Sequence, residues 1–297
     1  MYFCTFKAKG LPQLGMAQNS QLLALVNLSE IWPEVLAPTN VGELILKGEA
    51  GLTIAGKLHK ATTNWVDIKD LQWLAPIPNP RKNIFCVGRN YREHIIEGNI
   101  AQGREPNLFP EYIELFTKAT TAVIGHQATI PLHAGLTAML DYEAELAIVI
   151  GHGGANISED KAEEAIFGYT ILNDVTGREI QRRHGQWFKG KSLDGSCPIG
   201  PWVAHKSVIA DPHQLTIRLK VNGEQRQNGN TSTMIFSIPR IIAELSAGLT
   251  LEPGDIIATG TPSGVGYAMK PPRPLKTGDV IAIEIEGLGK LENTVGT

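Results

Sequence analysis

The segment from Glu143 to Gly151, Glu-Ala-Glu-Leu-Ala-Ile-Val-Ile-Gly, constrains the fold more than any other stretch of this 297-residue chain. Side chains alternate faces along a strand, so Leu146, Ile148 and Ile150 cover one face while Ala147 and Val149 continue the other. A strand apolar on both faces is covered on both, which requires packed layers on either side. Glu143 and Glu145 share one face, about 7 Å apart along the chain, and enter that buried region. Two carboxylates placed there repel each other and lose hydration, so they need a compensating cation or a shared proton. A solvated sheet face would explain the pair on its own, but the apolar residues that follow argue against it.

Other β-branched or alternating runs, at 83–88, 169–173 and 280–285, also read as strands. Asn222-Gly223 after Gln-Leu-Thr-Ile-Arg-Leu-Lys-Val signals a hairpin with a type I′ turn. One helix is expected after Ser158 as N-cap, with Glu159 and Asp160 in its first turn and Gly168 as its stop. A second runs from about Ser237 to Gly248. Strands dominate and the few short helices do not alternate with them, so a β-rich α+β fold is expected rather than a doubly wound parallel sheet. Pro76-Ile77-Pro78-Asn79-Pro80 marks a boundary between a small amino-terminal domain, 1–76, of short strands and one helix, and a larger domain, 77–297.

With 27 basic against 30 acidic residues, the chain lacks the positive field that binding a phosphate backbone requires, so nucleic acid is excluded as a partner. Cys4, Cys86 and Cys197 are widely spaced and odd in number, which fits a reducing compartment. The amino terminus lacks a signal-peptide pattern and no run approaches the roughly 18 apolar residues of a membrane span. A soluble, cytoplasmic protein is the expectation.

A third carboxylate, Asp174, ends the strand Tyr-Thr-Ile-Leu-Asn, where a short helix is expected to begin. As an N-cap it would be unremarkable. Yet that helix carries Arg178 and Gln181 three residues apart, on one face, aimed at the same place as Asp174; an exposed polar face is the alternative. Three oxygen ligands without cysteine or a histidine pair suit Mg²⁺ or Mn²⁺, with Ca²⁺ possible, rather than zinc. His94 and Glu97 touch if their segment is helical, and a carboxylate beside an imidazole orients it as a base. A surface pair is equally consistent with that spacing. The stretch Gly-Thr-Pro-Ser-Gly-Val-Gly from Gly260 lacks the lysine of a P-loop but offers N–H groups and the Thr261 hydroxyl to a small anion. Lys191 sits in a glycine- and proline-containing loop that fixes its direction, or is one more exposed lysine.

Taken together, CVGRNYREH, DYEAELAIVIG, GYTILNDVTGREIQ, KGKSLDGSCPIGP, VNGEQRQNGNTSTMIFSIPRII and LEPGDIIATGTPSGVG resemble the fumarylacetoacetate hydrolase family, in order from about residue 77 to the carboxyl end. The resemblance implies a rolled, mostly β fold, a homodimer, and a Mg²⁺ or Mn²⁺ site at Glu143, Glu145 and Asp174. It implies that Arg178, Gln181 and Lys191 surround a 2-oxo acid, that Thr261 helps bind its carboxylate, and that His94 and Glu97 form a dyad on a lid that closes over it; the lid between about Ile95 and Glu111 and the amino-terminal unit would shape the distal pocket. The implied reaction is C–C hydrolysis of an acylpyruvate. Oxaloacetate decarboxylation and isomerisation of a 2-oxo diacid use the same metal site, and a noncatalytic 2-oxo-acid binding protein is the alternative of another class. Thr-Gly-Arg-Glu-Ile-Gln stands where Thr-Ala-Arg-Asp-Leu-Gln is usual, and Ala119 follows Lys118 where many members have proline, which puts the role of Lys118 in doubt.

Overall fold

The computed structural model describes residues 1–18, 24–63, 65–68 and 71–297. Its central strand is Ala144–Ile150, with all seven residues buried. This strand pairs antiparallel with Ile166–Asn173 on one side and with Ile256–Ala258 on the other. The sheet continues through Cys197–His205 beyond the first neighbour. Beyond the second it continues through the parallel strand Ile84–Gly88 and then Glu114–Lys118. A five-stranded sheet runs in the order Glu224–Asn230, Thr216–Val221, Val280–Ile285, Gly289–Gly296 and Thr129–Pro131.

Alternation along the central strand feeds two separate cores. Leu146, Ile148 and Ile150 pack with Ile217, Leu219, Ile281 and Ile283 between the two sheets. Ala147 and Val149 face the other way, onto Phe3, Leu14, Val41 and Leu44. Each large aliphatic side chain buried in these layers contributes about 1.5–3 kcal/mol, which holds the two glutamates in register. The result is the β-rich α+β fold that the strand pattern implied.

Residues at the amino terminus extend the same sheet. Tyr2–Ala8 pairs with Cys197–His205 through Phe3 opposite Val203, and Leu11–Ala17, Ala24–Asn27 and Val66–Asp67 follow outward. Three helices lie here rather than one: Leu28–Ile31, Val41–Leu46 and Gly48–Ala61. The second is capped by the Asn40 side chain, which accepts the Glu43 N–H at 3.0 Å. Leu28–Ile31 and Val41–Leu46 carry too few turns to leave a helical period in the sequence. Thr5 binds this unit to the connector, donating to the Pro76 carbonyl at 2.7 Å and accepting from the Val41 N–H at 3.3 Å.

The hairpin forms as expected, with Asn222 and Gly223 at φ 52° and 79°. So does the helix Ile238–Ser246, capped by the Ser237 side chain. The helix after Ser158 is shorter than expected: a 3-10 turn, Glu159–Lys161, leads into Ala162–Ala165 and stops there. Gly168 is not its stop but lies inside the strand Ile166–Asn173. A Cβ at Gly168 would stand 2.1 Å from the Ala204 carbonyl oxygen of the neighbouring strand, so glycine is needed for close strand approach. The helix expected at Asp174 begins four residues later, as Arg178–Arg183, with Gly177 preceding it. Among the described residues no helix is long and apolar enough to cross a membrane.

Candidate active site

Antiparallel pairing of Ala144–Ile150 with Ile166–Asn173 aligns Ala144 with Asn173, so Glu143 and Asp174 flank that pair. The Asp174 N–H donates to the Glu143 carbonyl at 2.9 Å, and the Asn173 side chain accepts the Glu143 N–H at 3.1 Å. One carboxylate oxygen from each of Glu143, Glu145 and Asp174 then falls within 4.8 Å of the other two, and all three residues are buried.

Three cations pair with these carboxylates and with Asp141. The Lys191 ammonium, at the end of the helix Phe188–Lys191, bridges Glu143 Oε2 at 2.7 Å and Asp174 Oδ2 at 2.6 Å. Lys118, fully buried, donates to Asp174 Oδ1 at 2.7 Å, to the Val175 carbonyl at 3.0 Å and to the Lys191 carbonyl. Lys118 is thus a buried partner of Asp174 in this chain. Where proline is common in the family, the Ala119 N–H donates to Ser192 Oγ at 2.9 Å and fixes the strand end by a bond that proline lacks. Arg178 reaches Glu143 Oε1 at 2.7 Å and Asp141 Oδ2 at 2.9 Å. Asp141 in turn accepts the N–H groups of Gly266 and Tyr267, at 2.8 and 3.0 Å.

Burial alone would raise the Glu143 carboxyl, but Lys191 and Arg178 beside it outweigh that and hold it well below the carboxylate range. Glu145 has no such ion pair among the described residues; burial first, then the charges of Asp174 and Glu143, outweigh Lys191 and push it well up. Its fixed contact is the Gly260 N–H, 2.8 Å from Oε2. Gly260 holds φ +98°, and a Cβ there would stand 2.9 Å from the Asn90 Cβ, so only glycine brings that N–H to the glutamate.

Four buried carboxylates, Asp141, Glu143, Glu145 and Asp174, thus face three buried cations, Lys118, Arg178 and Lys191. The carboxylate in surplus is Glu145, which has no lysine or arginine ion pair among the described residues. Grouped oxygen donors with one carboxylate in surplus fit a hard divalent cation held by Glu143, Glu145 and Asp174.

His94 and Glu97 do lie on a helix, Arg92–Ala101. His94 Nδ1 is 2.9 Å from Glu97 Oε1, and the Glu97 carboxylate accepts the Gly264 N–H at 2.9 and 3.0 Å. The dyad is therefore tied to the loop that follows Thr261. With Nδ1 engaged by the carboxylate, Nε2 is the ring nitrogen left as a base. His94, Glu143, Glu145, Arg178, Gln181, Lys191 and Thr261 all line a cavity of about 610 Å³. Glu97 stands behind His94. Gln181 Oε1 accepts from Arg178 at 3.3 Å.

Thr261 spends its hydroxyl proton on the Ala144 carbonyl, at 2.9 Å, and accepts from Gln227 Nε2 at 2.8 Å. Gln227 went unnoticed in the sequence, as did Asp141. Fully buried, Gln227 also donates to the Pro262 carbonyl at 2.8 Å and accepts the Ala144 N–H at 2.9 Å. It locks the loop onto the central strand, a task that no local spacing announces.

Fold and site define a rolled-sheet protein with a buried carboxylate triad, balancing lysines and a carboxylate-oriented imidazole on one cavity. The chain belongs to the fumarylacetoacetate hydrolase family: residues 83–296 match the Fumarylacetoacetate (FAA) hydrolase C-terminal domain. Over 229 residues it is 51% identical to the oxaloacetate tautomerase YisK of Bacillus subtilis (strain 168), covering 77% of this chain and 74% of that protein. A fumarylacetoacetate hydrolase from the psychrophile Exiguobacterium antarcticum superposes with a TM-score of 0.84 at 38% identity, over 100% of this chain and 99% of that one. The maleylpyruvate hydrolase of Sphingobium sp. SYK-6 superposes with a TM-score of 0.77 at 28% identity, over 100% and 99%.

Proposed function

We propose that this chain enolises small 2-oxo diacids, with keto–enol interconversion of oxaloacetate as its reaction. The observation that carries the reading is that the His94–Glu97 pair and the triad with its bridging Lys191 line or back one cavity. The likeness to an oxaloacetate tautomerase supports the choice of substrate. A divalent cation held by Glu143, Glu145 and Asp174 would supply the Lewis acidity that polarises a 2-oxo group. His94 Nε2 takes the C3 proton, with Glu97 steadying the resulting imidazolium. Lys191 and Arg178 offset the negative charge that develops on the 2-oxo oxygen, and the proton is returned to that oxygen to complete the enol. Buried carboxylate partners hold both cations in place before substrate arrives, so little reorganisation accompanies the step.

A second reading is the C–C hydrolysis of an acylpyruvate, in which His94 takes its proton from water instead. The maleylpyruvate hydrolase likeness favours it. The test is to supply Mn²⁺-loaded protein with keto and enol oxaloacetate, acetylpyruvate and fumarylpyruvate, following enol absorbance, pyruvate and CO₂. Keto–enol interconversion should be the fastest of these and should fall roughly 10²–10⁴-fold in His94→Ala. Faster pyruvate release from an acylpyruvate would make the hydrolase reading the better one, and faster CO₂ release the decarboxylase. Binding with no turnover of any compound would leave a 2-oxo-acid binding protein.

A further inference from the structure

Arg178 and Arg182 lie one turn apart on the helix Arg178–Arg183, and both guanidinium groups sit over the ring of Tyr267, at 4.4 and 5.5 Å from its centroid. Their circumstances differ. Arg178 is buried and committed to Asp141 and Glu143. Arg182 is exposed, lines the cavity, and has no ion pair among the described residues. A cation that touches a substrate cavity without an acidic partner is available to an anion.

Tyr267 is fixed from three sides. Its N–H is held by Asp141, the same carboxylate that takes Arg178. Its ring carries the Arg178 guanidinium, itself held by Asp141 and Glu143. Its ring tip lies where a Cβ on Gly98 would stand only 2.8 Å from the hydroxyl oxygen. The ring is thus a rigid shelf between the acidic floor and the lid. It holds Arg182 by cation–π attraction at a spot that side-chain entropy alone would leave undefined.

We propose that Arg182, positioned by Tyr267, binds the second carboxylate of a 2-oxo diacid and so selects diacids over monoacids. This rests on the reading of the cavity as a 2-oxo-acid site. A substrate gripped at the floor by its 2-oxo carboxylate extends towards the mouth. Arg182 stands one helical turn, about 5.4 Å, further along than Arg178 and can meet a carboxylate with two parallel N–H donors.

The experiment measures equilibrium binding and turnover of oxaloacetate and of 2-oxobutanoate, which carries a methyl where oxaloacetate has its distal carboxylate, with Mn²⁺ present throughout. Wild-type protein should prefer the diacid. Arg182→Gln should lose at least tenfold more affinity for oxaloacetate than for 2-oxobutanoate, as a rise in KM rather than a fall in kcat. Tyr267→Leu should lose the same preference in part, and Tyr267→Phe, which keeps the ring, should restore it. Equal losses for the two ligands, or none, in Arg182→Gln would overturn the proposal. Differential binding without turnover would sink the tautomerase reading and leave this one standing. Turnover with no differential would do the reverse.

Discussion

Two regions of the molecule bury ionisable groups in opposite ways. Beneath the cavity, Asp141, Glu143, Asp174, Lys118, Arg178 and Lys191 are buried as paired charges, each with an opposite partner at 2.6–2.9 Å. At the joint between the amino-terminal strands and the small sheet, His126 is buried and has no ion pair among the described residues. It meets Trp73 edge-on and accepts the Glu292 N–H at 3.0 Å. There burial outweighs the attraction of Glu292 and pushes the imidazole down to about 4, so it stays neutral. A neutral buried imidazole is compatible with packing alone. A set of buried charges with one carboxylate in surplus is costly to keep and makes sense only where a cation and an anionic substrate complete it.

That contrast predicts unequal responses. Lys118→Met removes one buried cation from Asp174 and should destabilise the metal-free protein by about 3–5 kcal/mol, read by urea denaturation. A loss below about 1 kcal/mol would mean that the floor does not depend on its charge pairing. At the joint the sign is that of a depressed histidine. The unfolded imidazole protonates near its ordinary 6.5 and the folded one only near 4. As pH falls from 6.5 towards 4 the unfolded state binds the extra proton, so stability present above that window is lost within it, by about 3 kcal/mol. His126→Gln should flatten that stretch of the stability–pH curve, and an unchanged slope would assign it to other groups. Thr261→Val should cost least, about 1 kcal/mol, because the hydroxyl links the Ala144 carbonyl to Gln227. If KM for a 2-oxo acid rises far more than stability falls, Thr261 touches substrate as well as its loop.

The sequence announced the parts of the site that local periodicity records. Strand alternation placed Glu143 and Glu145 on one face, and helical spacing joined His94 to Glu97 and Arg178 to Gln181. Lys118, Asp141 and Gln227 left no such mark, because their partners lie 56, 37 and 34 residues away. Only strand pairing brings those segments together. Gly168 misled for a related reason: a glycine at a helix stop and one needed for close strand approach look the same until the Ala204 carbonyl is in view. Two of the three helices near the amino terminus, Leu28–Ile31 and Val41–Leu46, were obscured by their length.

Everything proposed for the cavity depends on Glu143, Glu145 and Asp174 closing on one divalent ion. Titration of chelator-treated protein with Mn²⁺, followed by calorimetry and by the electron paramagnetic resonance of free Mn²⁺, tests it directly. Wild-type protein should bind one ion per chain, with affinity lower by at least about 100-fold in Glu145→Gln and in Asp174→Asn. Equal affinity in wild type and both variants, or no binding to the wild type, would contradict it.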